Sequence, residues 1–205
     1  MGELIIMSEH RRAKAASRRA GVVFAFDLAS PHTYLAAERV DRLFASAQWC
    51  PVITDLPPVP AAYADTELRA AALRLPLVWP EKQFAAVAAR RIAAYASSIG
   101  QGAAFVLAAS RLAFCGGFDL DDPEILAEAA AAAYLPFEDC LEAATDKSLD
   151  IPMATAGLDL VMRGAERLPV LQVGHMLFCG EERIAEAAAA SRATAPSGGQ
   201  AFKPA

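Results

Sequence analysis

The tetrapeptide Ser30-Pro31-His32-Thr33 has the residue types best suited to chemistry in this chain. Ser30 follows an apolar run and precedes a proline, a pattern typical of a helix N-cap and the first helical residue. The first N–H groups of a helix lack partners within it and the helix dipole is positive there, so a bound anion is stabilised. We expect the Ser30 hydroxyl to donate a hydrogen bond to such an anion, for example a thiolate carried by a ligand. The alternative is that Ser30 only caps the helix, which would contribute about 1 kcal/mol to stability.

A second candidate is the pair Leu168-Pro169, which precedes the predicted strand Val170–Val173. Proline removes a hydrogen-bond donor from a sheet, so it is tolerated at the first position of a strand, often as a cis bond in a tight turn. The alternative is an ordinary trans proline that opens the strand.

The remaining titratable residues of interest are two histidines and a pair of arginines. His32 lies two residues beyond Ser30 on the predicted helix and so points to another side, which argues against a Ser-His pair and places it at the mouth of the site. His175 falls in a predicted hairpin turn, where a solvated side chain is expected. The chain has three histidines and no carboxylate cluster at ligand spacing, so no metal site is predicted. Arg90 and Arg91 are expected to form a solvated helix face, the alternative being a role in binding a substrate carboxylate.

The elements that would position these residues follow from the pattern of apolar residues. The β-branched and aromatic run Val22–Leu28 is typical of a strand covered on both faces, and a helix beginning at Ser30 follows it. Gln48–Asp55 is again extended, and the cluster Pro57-Pro58-Val59-Pro60 then ends regular structure. Alanine-rich segments separated by Gly, Pro and Asp predict a helical block at Glu81–Ser98, Ala103–Phe114, Asp122–Tyr134, Pro136–Ala144 and Asp150–Met162.

Two strands and a helix close the predicted pattern, at Val170–Val173, Met176–Cys179 and Gly180–Ala190. A β-α-β start, a helical insertion and a β-β-α finish can be joined into one four-stranded mixed sheet with helices on its faces. We therefore predict an α/β protein with a thioredoxin-like fold (β-α-β … β-β-α) and an all-helical insertion domain. In such folds a cis-proline turn exposes the backbone of the preceding residue, here Leu168, to a peptide such as glutathione.

The predicted domain boundaries follow from the same pattern. Residues 21–65 and 150–191 would form the thioredoxin-like domain, and residues 66–149 the helical insertion domain. A basic N-terminal tail over 1–20 and a C-terminal tail over 192–205 are rich in polar or small residues, so we expect both to be disordered.

Composition excludes several classes of protein. The chain is 55% hydrophobic, enough for a large core, and its long apolar stretches are all interrupted by charges or proline, so no membrane span is predicted. A net charge of -5 and a pI near 5.2 make nucleic acid an unsuitable partner. Neither a secretory signal nor a Cys-x-x-Cys motif is present, which favours a cytoplasmic protein. The scattered cysteines are expected to be small buried hydrophobes: Cys50, Cys115, Cys140 and Cys179.

An ordered set of motifs resembles the 2-hydroxychromene-2-carboxylate isomerases and kappa-class glutathione transferases, in the DsbA-like branch of the thioredoxin superfamily. Phe26–Leu35 is similar to their opening pattern F-D-x-x-S-P-x-S/T-Y/W-L. The other similar segments are Trp49–Val52, Leu75–Pro80 and Gly164–Ile184, the last with the pattern G-x-x-R-I/L at Gly180–Ile184. The resemblance spans about residues 22–190.

The resemblance implies a glutathione-dependent isomerase that acts on a small aromatic or conjugated acid, with the glutathione thiolate as the reactive group. Ser30 would hydrogen-bond the glutathione sulfur, and Leu168 with Pro169 would pair with its cysteinyl backbone. Glu181 and Glu182 stand where the family has Asn or Ser followed by Asp, a pair that binds the γ-glutamyl end, and Glu182 would receive the α-ammonium. A homodimer is also implied.

Further positions depart from the family pattern or are implied to line the substrate pocket. Lys82 replaces an asparagine and would reach the glycyl carboxylate or the acid of the substrate, whereas Arg167 replaces a glycine before the proline turn. The aromatic residues Trp79, Phe84 and Tyr95 would wall the substrate pocket, the alternative being that they belong to the core.

Alternative functions remain within this resemblance. One is a kappa-like transferase, in which glutathione stays attached to an electrophile. The other is a catalytically silent binding protein, which the substitutions Glu181, Lys82 and Arg167 favour. Dithiol oxidoreductase activity is opposed by the missing Cys-x-x-Cys motif.

Overall fold

The computed structural model describes residues 21–56 and 63–194. Its strands are β1 (Val22–Phe26), β2 (Gln48–Pro51), β3 (Val170–Val173) and β4 (Met176–Cys179). They form one mixed sheet in the order β2-β1-β3-β4, with β1 parallel to β2 and the other neighbours antiparallel. This confirms the four-stranded sheet predicted from the sequence.

Eight helices accompany this sheet in the described chain. Their bounds are α1 (Pro31–Leu43), α2 (Tyr63–Leu73), α3 (Val87–Ser98), α4 (Gly102–Phe114), α5 (Pro123–Ala132), α6 (Phe137–Thr145), α7 (Asp150–Met162) and α8 (Ile184–Thr194). Short 3-10 turns at Lys147–Leu149 and Glu181–Arg183 precede α7 and α8. The helices α2 to α6 all lie between β2 and α7 in the chain, which confirms an all-helical insertion. The domain boundaries at 65/66 and 149/150 stay predictions.

The sheet is covered on both faces because its side chains alternate in direction. Phe24 and Phe26 join one buried cluster with Leu35 of α1 and Ile184 of α8. Ala25 points the other way and packs in a second cluster with Val170, Leu160 of α7 and Val52. Burial on both faces explains why Val22–Phe26 is almost uninterruptedly apolar.

Two local predictions about helices were wrong. The sequence pattern missed α2, and it began the next helix at Glu81 where the structure begins α3 at Val87. The carboxylate of Asp121 accepts hydrogen bonds from the N–H groups of Ala85 and Ala86, at 2.9 and 3.0 Å. These bonds give partners to the N–H groups just before the first turn of α3. Asp121, which lies 35 positions from Ala86 in the chain, therefore sets where α3 begins.

The ends of the chain differ partly from expectation. Arg192–Thr194 belong to α8 rather than to a disordered tail. The predicted tails over 1–20 and 195–205, and the cluster Pro57–Pro60, lie outside the described residues.

The thiols are free, and only Cys140 is buried as predicted. Cys50, Cys115 and Cys179 are half-buried, so the expectation of four buried cysteines was wrong for these three. Within residues 21–56 and 63–194, no helix combines the length and apolar character that a membrane crossing needs.

Candidate functional site

The predicted site residues from the two halves of the chain meet at one end of the sheet. Ala25 near the end of β1 lies opposite Val170 at the start of β3. Because the two strands are antiparallel, the turn that follows β1 and carries Ser30 lies at the same end as Leu168-Pro169, which precede β3.

Ser30 is the N-cap residue of α1, with an extended backbone and Pro31 as the first helical residue. Its side chain makes no capping hydrogen bond. The turn is held instead by Asp27, whose backbone oxygen accepts from the Ser30 N–H at 3.2 Å and from the Thr33 hydroxyl at 2.6 Å. The Asp27 carboxylate also accepts from the Ala29 N–H at 3.2 Å. The Ser30 hydroxyl therefore lies at the positive end of α1 without serving the helix as a cap.

The peptide bond between Leu168 and Pro169 is cis. The carbonyl oxygen of Pro169 accepts from the Gly180 N–H at 2.8 Å, which ties this turn to the end of β4. Within the described chain, neither the N–H nor the C=O of Leu168 takes part in a backbone hydrogen bond. The Leu168 side chain packs against the buried cluster beneath α7, so its backbone groups are held in place while remaining available.

Glu181 is a buried carboxylate, with only 2% of its side chain exposed. Arg69 of α2 donates to both of its oxygens, at 2.6 and 2.9 Å. Arg39 of α1 donates to its backbone oxygen at 2.9 Å and to its carboxylate at 3.3 Å. The carboxylate thus joins three elements and already has charged partners from the protein. Sequence reasoning missed both arginines, because they lie 112 and 142 positions away and no local pattern links them to Glu181.

Glu182 is exposed and forms an ion pair with Arg167, beside the Leu168-Pro169 turn. Gly180 lies against this pair with φ +96°, and an added Cβ there would contact the Glu182 carboxylate and the Arg167 guanidinium. The positive φ favours glycine at this position, whereas the atoms that a Cβ would meet belong to flexible, exposed side chains that can move aside. Arg167, expected only as a departure from the family pattern, becomes the partner of a predicted site residue.

His32 lies in the first turn of α1 and faces the charged residues around position 181. Its Nε2 atom is buried and has no hydrogen-bond partner within the described chain. Burial lowers the pKa of His32, although the nearby Glu181 and Glu182 oppose this effect. The imidazole is therefore kept in its neutral form near neutral pH.

Arg90 and Arg91 do not form the solvated helix face that was predicted. Arg91 is buried and donates to both carboxylate oxygens of Asp150, at 2.8 and 2.6 Å, and to the Ala144 oxygen at 3.1 Å. The Arg90 side chain is only 15% exposed, and its Nε lies 3.9 Å from an Asp27 carboxylate oxygen. Both guanidinium groups turn inward because acidic or carbonyl oxygens of other elements lie against α3.

Lys82 lies in the exposed connection between α2 and α3. Within the described chain its ammonium group makes no hydrogen bond or ion pair.

Among the aromatic residues predicted to wall the substrate pocket, Phe84 packs beside Phe114 with ring centroids 6.1 Å apart, which agrees with the alternative that Phe84 belongs to the core. Trp79 donates to Glu67 at 2.9 Å. The Tyr95 hydroxyl donates to Asp139 at 2.5 Å, which raises the pKa of Tyr95 to about 12.

A cavity of about 310 Å³ lies elsewhere, at the outer edge of the sheet. It runs beside β2, between α3 and the start of α7, and none of the predicted site residues lines it.

His175 is exposed in the β3–β4 turn, as predicted. In residues 21–56 and 63–194, no three His, Cys, Asp or Glu side chains are grouped as a metal site would require.

Comparisons with known proteins show the fold. A 2-hydroxychromene-2-carboxylate isomerase structure superposes with a TM-score of 0.69 at 17% identity, covering 84% of this chain and 94% of that one. A probable DsbA oxidoreductase from Streptomyces coelicolor superposes with a TM-score of 0.65 at 18% identity, covering 84% and 88%. The chain has the DsbA-like thioredoxin fold. No model of a known protein family matches the chain, and no curated protein matches it.

Proposed function

We propose that this protein binds glutathione at the start of α1 and acts as a glutathione-dependent isomerase of a small aromatic or conjugated acid. The observation that carries this proposal is the Ser30 hydroxyl, which lies at the positive end of α1 and makes no capping bond. A thiolate is one anion that a lone hydroxyl donor at such a position would stabilise. The fold shared with a 2-hydroxychromene-2-carboxylate isomerase supports the choice of reaction class.

The residues present fit the thiol and peptide parts of glutathione better than its γ-glutamyl end. Ser30 would donate to the sulfur, and the unpaired backbone of Leu168 would pair with the cysteinyl part beside the cis Pro169. Glu182 is exposed and would receive the α-ammonium by exchanging it for Arg167. Glu181 does not fit this role, because its carboxylate is buried and bonded to arginines.

The protein's own contribution to the reaction would be binding and electrostatics. When bound, glutathione would supply the sulfur nucleophile that adds reversibly to a conjugated acid. Ser30 and the positive end of α1 would lower the pKa of the thiol and hold it deprotonated. His32, kept neutral by burial, would add no positive charge near the sulfur, which leaves the dipole of α1 and the Ser30 hydroxyl to stabilise the thiolate.

A catalytically silent binding protein is the second candidate. The hydrogen bonds that Glu181 already makes favour this candidate, because Glu181 is one of the acidic residues expected to hold the γ-glutamyl end and already has partners within the protein. A kappa-like transferase would differ from the isomerase only in its product, a stable glutathione adduct.

Calorimetric titration of reduced glutathione at pH 7, in buffers of different ionisation enthalpy, tests the proposal. We expect binding to release a proton in the wild type, because a free thiol with a pKa of about 8.5 would be deprotonated on binding. Ser30→Ala should lose this release and bind at least about tenfold more weakly, the effect of a charge-assisted hydrogen bond. The free energy of unfolding of Ser30→Ala should stay within about 0.5 kcal/mol of wild type, because Ser30 does not cap α1.

Two controls sharpen this experiment. S-Methylglutathione has no thiol proton, so it should bind the wild type and Ser30→Ala without proton release. Ser46→Ala removes an exposed serine outside the site and should behave as wild type. A wild type that does not bind glutathione would refute the proposal, and proton release that persists in Ser30→Ala would refute the role of Ser30.

A further inference from the structure

We propose that Arg90 binds the carboxylate of the acid substrate beside Ser30, and this inference rests on the proposed function. Arg90 belongs to α3, in the helical insertion, but its guanidinium reaches the turn after β1. Its Nε lies 3.9 Å from an oxygen of Asp27, the residue that holds the Ser30 turn together. The side chain thus brings a positive charge from the insertion to the candidate site.

Few of the hydrogen-bond donors of Arg90 have a partner within the described chain. A guanidinium group has five N–H donors. In the described chain, the one hydrogen bond from the Arg90 side chain is from Nη2 to the Ala85 oxygen, at 2.8 Å. Its Nε is buried and has no hydrogen-bond partner among residues 21–56 and 63–194. A largely buried guanidinium whose N–H donors lack partners is unusual in a protein. A bound anion would accept hydrogen bonds from these donors and would also compensate the positive charge.

Asp27 does not accept a hydrogen bond from the Arg90 guanidinium. The distance of 3.9 Å is too long for a hydrogen bond, and the same Asp27 oxygen already accepts the Ala29 N–H. Asp27 therefore compensates part of the Arg90 charge through space while leaving its donors free.

The neighbouring Arg91 shows what a structural arginine looks like in the same helix. Its guanidinium makes two hydrogen bonds to the Asp150 carboxylate and one to the Ala144 oxygen. These bonds form the planar two-point pairing that arginine makes with carboxylates. Arg90 has no equivalent carboxylate partner in the part of the chain that the structure describes, and the carboxylate of a conjugated acid has the charge and geometry to act as one.

Binding of two matched probes to the glutathione-saturated protein tests the inference. trans-Cinnamate and cinnamamide have nearly the same shape, but only cinnamate carries a charge. In Arg90→Gln we expect cinnamate to bind at least about tenfold more weakly, since charged two-point hydrogen bonds are lost, while cinnamamide changes less than about twofold. Arg90→Lys keeps the charge but not the planar fork, so it should recover part of the cinnamate affinity. The control Arg163→Gln changes an exposed arginine that directly follows α7 and should leave both affinities unchanged.

The double variant Asp27→Asn/Arg90→Gln separates substrate binding from simple compensation of Asp27. If Arg90 binds the carboxylate, cinnamate binding stays weak in the double variant. Three results would each overturn the inference. The first is wild-type affinity for cinnamate in the double variant, and the second is an equal loss of affinity for cinnamate and cinnamamide in Arg90→Gln. The third is a wild type that does not bind cinnamate at millimolar concentration.

Glutathione titration of the same proteins separates this inference from the proposed function. A charge-selective loss in Arg90→Gln, measured without glutathione in a protein that does not bind glutathione, would support the carboxylate site and refute the proposed reaction. Arg90→Lys and the thermal unfolding of each variant guard against a loss caused by misfolding. A variant that keeps the wild-type unfolding temperature and loses only cinnamate supports the inference.

Discussion

Two polar regions beside α1 differ in how completely their hydrogen bonds are made. Around Glu181, two arginines from different helices donate to one buried carboxylate. Around Ser30, the hydroxyl does not cap its helix, and the Nε of Arg90 is buried without a partner in the described chain. Buried polar groups are normally paired, so the first region holds elements together, whereas the second is the one where we propose that a ligand binds.

The contrast predicts that changes in the Glu181 region reduce stability, whereas changes at the Ser30 turn reduce binding. Removing one partner from a buried ion pair leaves a charge without compensation, which is costly. Removing a group that makes no internal bond leaves the folded chain almost as stable as before.

The largest expected effect is that of Glu181→Gln. This change keeps the shape of the side chain but leaves Arg39 and Arg69 without their counter-charge, so the free energy of unfolding should fall by about 3 kcal/mol. Guanidinium chloride denaturation would show this as a lower midpoint with an unchanged slope. The neighbouring Glu182→Gln breaks an exposed pair and should lower the free energy of unfolding by less than about 1 kcal/mol. Equal effects of the two changes would remove the distinction between them.

A smaller effect is expected for Arg91→Gln, which removes the partner of Asp150. The free energy of unfolding at pH 7 should fall by about 2 kcal/mol, less than for a fully buried pair because Asp150 is 35% exposed. The hydrogen bonds from Arg91 hold the pKa of Asp150 below its usual value. Asp150 therefore stabilises the fold above its unfolded pKa of about 3.9, and this contribution is lost as the pH falls through its lower folded pKa.

Unfolding curves at pH 7 and pH 3 check the Arg91 prediction. The wild type should lose more stability over this interval than Arg91→Gln, which lacks the Asp150 contribution from the start. Arg163→Gln, which breaks an exposed pair with Asp159 one helical turn away, should resemble the wild type at both pH values. Identical acid dependence in wild type and Arg91→Gln would contradict the prediction.

The smallest effect is expected for His32→Gln and concerns pH dependence alone. Burial lowers the pKa of His32 in the folded protein, so below about pH 6.5 the unfolded chain takes up the proton first. His32 therefore costs stability as the pH falls from 7 to 5, and His32→Gln should lose less stability over that interval than the wild type. His175→Gln removes an exposed histidine and serves as the control. A steeper loss in His32→Gln would show that Glu181 and Glu182 outweigh burial.

The strands and the start of α1 could be predicted because their signals are local. Val170–Val173 and Met176–Cys179 have the bounds predicted, since apolar runs broken by Gly174-His175 permit few other structures. Ser30-Pro31 likewise marks the start of α1 through the chemistry of its own residues. The start of α3 could not be predicted in this way, because Asp121 determines it from another loop.

The sequence itself determined the order of the strands, the position of Ser30 at the end of a helix and the proline that opens β3, because apolar periodicity and the restrictions of proline act within a few residues. Only the tertiary structure decided which charged groups are paired. Glu181 and Glu182, like Arg90 and Arg91, are neighbours of identical type. Yet Glu181 and Arg91 are held by several hydrogen bonds from distant elements, whereas Glu182 forms an exposed pair with Arg167 and the Arg90 side chain donates one hydrogen bond, to Ala85. Burial and partners from other elements set the energy of a charge, and neither is encoded in its immediate neighbours.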